Sequence, residues 1–349
     1  MYKESFGTSR DGSAVTIYDL ENAGGMKVRV TDYGATLVSI FVPDRDGNML
    51  DVLLGYDNVT GYEDHRRDCF GALIGRNANR IANAQVTIND VVYQLDQNDN
   101  ENNLHSENHG MNCILWDVKE YTGRSIKLGC VSADLEQGFP GNMNVEVIYN
   151  LTDENELEIH YQAVSDKDTV ANFTNHSYFN LAGHDSGDIL GHELMLRASY
   201  FTPIIDAKAI PTGEIVPVKG TPMDFNEPKT VGRDIDSDDV QLGYGFGYDH
   251  NYVLDKSEKG AFELMAQVYA PSTGIEMKAY TDRPGVQLYT GNFIATQNGK
   301  QGAVYERRQG LCLESQFYPN AVNEPNFESP MIKANEVYQS KTSYQFSVR

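Results

Sequence analysis

The chain has 349 residues, with 28 Lys+Arg against 50 Asp+Glu and a formal net charge of -22. Charge of that sign opposes contact with a phosphate backbone, so no nucleic-acid partner is expected, and it is the balance of a well-solvated surface. The length is enough to bury a substantial core without the staples that small domains need.

Residues 1–20 are polar and charged throughout, with no apolar stretch of the kind a secretory signal uses. Apolar runs such as residues 37–42 are strand-sized, far short of the roughly 18 residues that cross a bilayer, so no membrane partner is expected. Farther along, residues 85–88 and 91–95 flank Asn89-Asp90, two residues that tolerate positive φ, which predicts a tight hairpin. Residues 144–151 alternate Val145, Val147, Tyr149 and Leu151 with mainly polar neighbours, and after a polar turn Leu157, Ile159, Tyr161 and Ala163 resume the pattern. That is a second hairpin, and it places His160 with Glu156, Glu158 and Gln162 on the solvent face. Residues 233–239 form a charged loop. Residues 262–269, 275–280 and 286–290 then read as strands punctuated by Pro-Ser-Thr-Gly and Pro-Gly turns.

Convincing helical periodicity is absent, and no Pro/Ser-rich linker or compositional break divides the chain. The expectation is all-β: one large antiparallel β-sandwich spanning residues 1–349 as a single domain. Cys69, Cys113, Cys130 and Cys312 lie far apart without CxxC spacing, so neither a zinc knuckle nor a disulfide framework is written here. They read as reduced thiols in a cytoplasmic protein.

Two segments carry the chemistry. The run 172–181, Asn-Phe-Thr-Asn-His-Ser-Tyr-Phe-Asn-Leu, presents His176, and Leu313-Glu314-Ser315-Gln316 presents a carboxylate behind an apolar Leu-Cys-Leu strand. A reaction that puts one proton on and takes another off needs an acid and a base of this kind on either side of a substrate. A merely structural His176 would instead be satisfied by Asn172 or Asn175, and a merely structural Glu314 would lie on the surface.

Further pieces recur along the chain: Gly75-Arg76-Asn77-Ala78-Asn79-Arg80-Ile81, Asn103-Leu104-His105, Tyr248-Asp249-His250-Asn251-Tyr252, and Pro284-Gly285-Val286-Gln287-Leu288-Tyr289. Together with the His176 and Glu314 segments, in this order and over most of the chain, they resemble the galactose mutarotase, or aldose 1-epimerase, family. The resemblance implies the family's β-supersandwich and exchange of the α and β anomers of free aldohexoses such as galactose and glucose, without metal or other cofactor. Carried over residue by residue, it implies Glu314 as base and His176 as acid, with Arg76, His105, Asp249 and Gln287 lining the sugar site. A carboxylate beside His176 is expected to raise the imidazole pKa, so that Glu⁻ and HisH⁺ coexist near neutrality.

Where the family places two glycines after Leu-His, this chain has Ser106-Glu107, which removes backbone freedom where positive φ is wanted. Pro319-Asn320-Ala321 likewise replaces Pro-Asp-Ala and reads as support. His105 and His109 stand four apart but not on a helix, so no metal site is expected from them. A glycoside hydrolase would need a second carboxylate, for which Asp249 is the one candidate. A sugar-phosphate epimerase would need more basic residues than Arg76 and Arg80. The assembly is expected to be a monomer or a homodimer.

Overall fold

The computed structural model describes residues 1–106, 110–295 and 298–349; His109 and Glu107 lie outside them. Among the described residues three large antiparallel sheets are accompanied by four two-stranded ones. The first is a five-stranded meander, Tyr2–Thr8, Ala14–Glu21, Lys27–Thr31, Thr36–Pro43 and Met49–Asp51, each strand paired with the next in sequence. The second has nine strands. Its centre is the chain's last strand, Val337–Val348, inserted between Glu156–Ser165 and Ile275–Thr281. The third runs Val216–Pro217, Tyr200–Thr202, Asp249–Val253, Gly285–Tyr289 and Cys312–Gln316.

The alternation read from the sequence is the alternation of the sheets. Met143–Leu151 pairs with Glu156–Ser165 in the register Val145↔Ala163, Val147↔Tyr161 and Tyr149↔Ile159. All of these side chains are buried, whereas His160 on the opposite face is half-buried and meets Glu158 at 3.6 Å. At the 85–94 hairpin, Asn89 and Asp90 take φ of 51° and 63°, the pair of positive values a two-residue turn requires. Helices among the described residues are short: Val59–Asp64, capped by Asn58, and Val240–Gly245, capped by Asp239, with scattered single turns of 3₁₀ helix. None is long and apolar enough to cross a membrane.

One apolar core draws on all three sheets, with Val28 and Ile40 from the meander, Val147 and Ile159 from the long sheet, and Tyr252, Leu288 and Leu313 from the third. The third sheet is therefore the one to follow. Because successive residues point to opposite faces, the positions that bury Tyr252, Val286, Leu288 and Leu313 force Asp249, Gln287 and Glu314 onto the other face. The pairings Asp249↔Tyr289, Gln287↔Glu314 and Tyr289↔Cys312 then line these residues up side by side. Leu313 is 1% exposed. Leu313→Ala should lower unfolding free energy by about 2–5 kcal/mol, the usual cost of such a cavity, read as a shift of the denaturant midpoint.

Candidate active site

Two stretches of backbone meet at the polar face of the third sheet. The His176 segment pairs through Thr174–Asn175 with Leu73–Ile74, and the His176 N–H donates to Ala72 O at 2.9 Å. It is stitched to the Glu314 strand on both sides of the histidine. Phe179 and Leu311 exchange backbone bonds at 2.8 and 3.0 Å, and Asn172 Oδ1 accepts the Phe317 N–H at 3.0 Å. The asparagines that were candidates to satisfy His176 are thus engaged elsewhere, Asn172 at Phe317 and Asn175 at Gly71 O.

What the imidazole meets instead is the carboxylate. His176 Nε2 lies 3.5 Å from Glu314 Oε1, with side-chain exposures of 7% and 2%. Glu314 Oε2 is buried without a hydrogen-bond partner among the described residues, an unmet acceptor that calls for a donor from outside. The expected rise of the imidazole pKa is overturned. Burial dominates, pushing His176 down to about 4 and Glu314 well above the usual carboxylate range, with Asp249 adding to the latter. A low-dielectric site disfavours charge on either partner, so the two shifts, His176 downward and Glu314 upward, both favour a pair that shares a single proton.

His105 stands edge-on to His176, ring centroids 5.1 Å apart. Its Nδ1 accepts the Asn79 N–H at 3.1 Å, and burial holds its pKa well below the ordinary value, so the ring is neutral with its proton on Nε2. Asp249 accepts from Gln287 Nε2 at 2.7 Å, and burial raises its pKa. Gln287 does not itself line the cleft. It is buried, bonded to Asp249 and paired across the strands with Glu314, and its own Oε1 has no partner among the described residues.

Arg76 is the correction. Its guanidinium is fully buried and occupied by Ser132 Oγ and by the carbonyls of Ser132, Ala133, Pro140 and Gly141, at 2.7–3.0 Å. It staples loops together and reaches no cleft. Of the two arginines in this motif, the one that lines the cleft is Arg80, four residues on, held by Asp99 at 2.8 Å and accompanied by Asn79. Both were visible in the same motif; residues 75–79 between Ile74 and Arg80 form no strand, and Asn79 takes φ of 63°, so no period-two pattern separates their roles. Asn320, in place of an aspartate, does act as support: its side chain accepts the Ala82 N–H at 3.0 Å and its own N–H donates to Arg80 O at 2.7 Å.

The cleft measures about 170 Å³, and Arg67, Tyr178, Tyr289 and Phe293 complete its wall. A volume so far below the roughly 300–1,000 Å³ of drug-sized pockets suits one small polar ring. A larger groove of about 540 Å³ crosses the outer face of the long sheet past His160 and Lys341. Both of those are paired with Glu158, and no buried acid and base converge there.

One ligand atom each from His105, His176 and Glu314 lies within 4.8 Å of the others, close enough to chelate an ion as well as to relay a proton. A fold of antiparallel sheets with a buried carboxylate–imidazole pair over a ring-sized polar cleft defines an acid–base enzyme acting on a small polyhydroxylated substrate. The Aldose 1-epimerase family profile matches residues 16–345. Galactose mutarotase from Sus scrofa is 40% identical over 324 residues, 93% of this chain and 92% of that protein. Aldose 1-epimerase from Escherichia coli K12 is 36% identical over 348 residues, 99% of both. The crystal structure of an aldose epimerase homologue from C. elegans superposes with a TM-score of 0.88 at 27% identity, covering 95% of this chain and 98% of that one. The chain belongs to the aldose 1-epimerase family.

The Ser106 departure is accommodated rather than avoided. Ser106 takes φ of 54° next to His105 at 57°, and its hydroxyl accepts the Asn77 N–H at 3.0 Å while reaching back to Asn77 O at 3.3 Å. The tether offsets the cost of about 1–2 kcal/mol that a β-carbon brings in this region. Ser106→Ala, which keeps the β-carbon and loses the tether, should therefore destabilise the protein by about 1–2 kcal/mol, while Ser106→Gly should lie nearer the wild type in thermal melts.

Proposed function

We propose that the protein is an aldose 1-epimerase that interconverts the α and β anomers of free aldohexoses, galactose and glucose among them. The reading is carried by the Glu314–His176 contact, one proton shared by two buried groups beside a cleft that fits a single ring. With Glu314 ionised and His176 protonated, Glu314 removes the proton of the C1 hydroxyl. The freed oxygen electrons form the C1 carbonyl, the C1–O5 bond breaks towards O5, and His176 delivers its proton there. Rotation about C1–C2 presents the other face of the aldehyde, and the same two groups, roles exchanged, reclose the ring. The pair ends where it began, with one proton.

The remaining lining holds the sugar. His105 offers Nε2–H to an oxygen, Asp249 accepts from hydroxyls while Gln287 fixes its orientation, and Arg80 supplies a fork of donors anchored by Asp99. We also place the protein in the cytoplasm, in keeping with its cysteine spacing.

Polarimetry of freshly dissolved α-D-galactose or α-D-glucose tests this directly. Protein dialysed against EDTA should keep full activity, because proton transfer alone suffices; loss that Zn²⁺ restores would point instead to an ion held by His105, His176 and Glu314. Glu314→Gln and His176→Asn should each lower kcat by on the order of 10²-fold or more, with KM little changed. Arg80→Met should mainly raise KM, whereas Arg76→Met should act on stability.

The pH profile follows from the directions of the two shifts. A second proton on the pair, which leaves Glu314 unable to accept, binds only near the lowered value of about 4 for His176. The last proton leaves only above the raised Glu314 value, and His176 then has nothing to donate. Activity, measured as kcat/KM, should hold a plateau from about pH 4 up to the raised Glu314 range, with both limbs belonging to the pair. A narrow optimum with an acid limb near 6.5, the ordinary histidine value, would contradict it.

A further inference from the structure

The proton-transfer scheme accounts for the Nε2 edge of His176 and leaves its Nδ1 edge unexplained. A sulfur sits there. Cys312 Sγ lies 3.6 Å from Nδ1, and both residues are buried. Cys312 precedes Glu314 by two residues on one strand, so the pleat turns both side chains to the same face. A single strand therefore contacts the imidazole at both nitrogens, Glu314 at Nε2 and Cys312 at Nδ1. Tyr178 and Tyr289 pack against the ring, with centroids 5.1 and 6.4 Å from it.

This thiol is no nucleophile, since burial holds it well above the ordinary thiol range and the thiolate is the reactive form. What it offers is bulk and polarisability with weak hydrogen bonding at sulfur. Those properties hold a ring in place without competing strongly for its proton.

We propose that Cys312 is a positioning residue for anomer exchange, its thiol seated on the Nδ1 edge of His176 so that Nε2 stays aimed between Glu314 and the ring oxygen of the sugar. The proposal rests on His176 being the proton donor. It also explains why the base and the orienter of the acid come from one strand: any shift of that strand moves both together, and the gap between acid and base is kept.

Cys312→Ala and Cys312→Ser separate positioning from bulk, because both are smaller than cysteine and fit the space, while only serine keeps a polar partner for Nδ1. Each would be measured by polarimetry and by the imidazole ¹H–¹⁵N spectrum of His176, with thermal melts confirming the fold. Cys312→Ala should lower kcat by about tenfold, less than the roughly 10²-fold of a 1 Å misplacement, with KM unchanged and the His176 signals displaced. Cys312→Ser should recover most of that loss. Wild-type kcat in Cys312→Ala, or equal losses in both variants with the His176 signals unmoved, would overturn the proposal. If the wild-type protein shows no anomer exchange at all, the reading of the active site fails instead, and the spectra still report whether Cys312 holds the ring.

Discussion

Burial of a carboxylate against an imidazole is the constraint around which this protein is arranged. Either group alone, ionised and this far from water, would cost several kcal/mol. Together, with a single proton, they are tolerated in a neutral form and remain one transfer away from the ion pair that does chemistry. The contact of 3.5 Å has to be fixed by backbone, because among the described residues neither side chain has another ion-pair partner. The bonds between Phe179 and Leu311 and between Asn172 and Phe317 do this, flanking the site above and below. The apolar face of the third sheet, locked into the common core through Tyr252, Leu288 and Leu313, keeps the Glu314 strand from yielding.

Much of this was legible in the sequence, for a physical reason. Long strands with one buried face announce themselves by alternation, so the 144–163 hairpin and the placing of His160 on its polar face follow from period two alone. The same rule places Asp249, Gln287 and Glu314 on one face once Leu288 and Leu313 are assigned to the core. The two-residue strands Leu73–Ile74, Arg80–Ile81 and Thr174–Asn175 are a different matter, since a strand that short has no period. They are the elements that bring His176 and Arg80 to the cleft. Arg76 came from the family resemblance, in a motif that offers two arginines four residues apart, and only the fold shows which of them is spent on carbonyls.

Two further readings failed instructively. Ser106 looked like an obstacle because a β-carbon opposes positive φ, yet the hydroxyl on that carbon makes the bonds to Asn77 that hold the strained conformation. The imidazole pKa was expected to rise beside Glu314, an argument about pair attraction that is sound at a surface. Inside the cleft, desolvation acts on both partners and outweighs it, which moves the working range of the pair from one narrow window to a wide one.

The central claim is a proton count, and neutron diffraction of deuterium-exchanged crystals at neutral pH reads it most directly. The account predicts one deuteron on the line between Glu314 and His176 Nε2, carried by one or the other, besides that of the Nδ1 edge. Deuterons on both the carboxyl group and Nε2, or on neither, would contradict it.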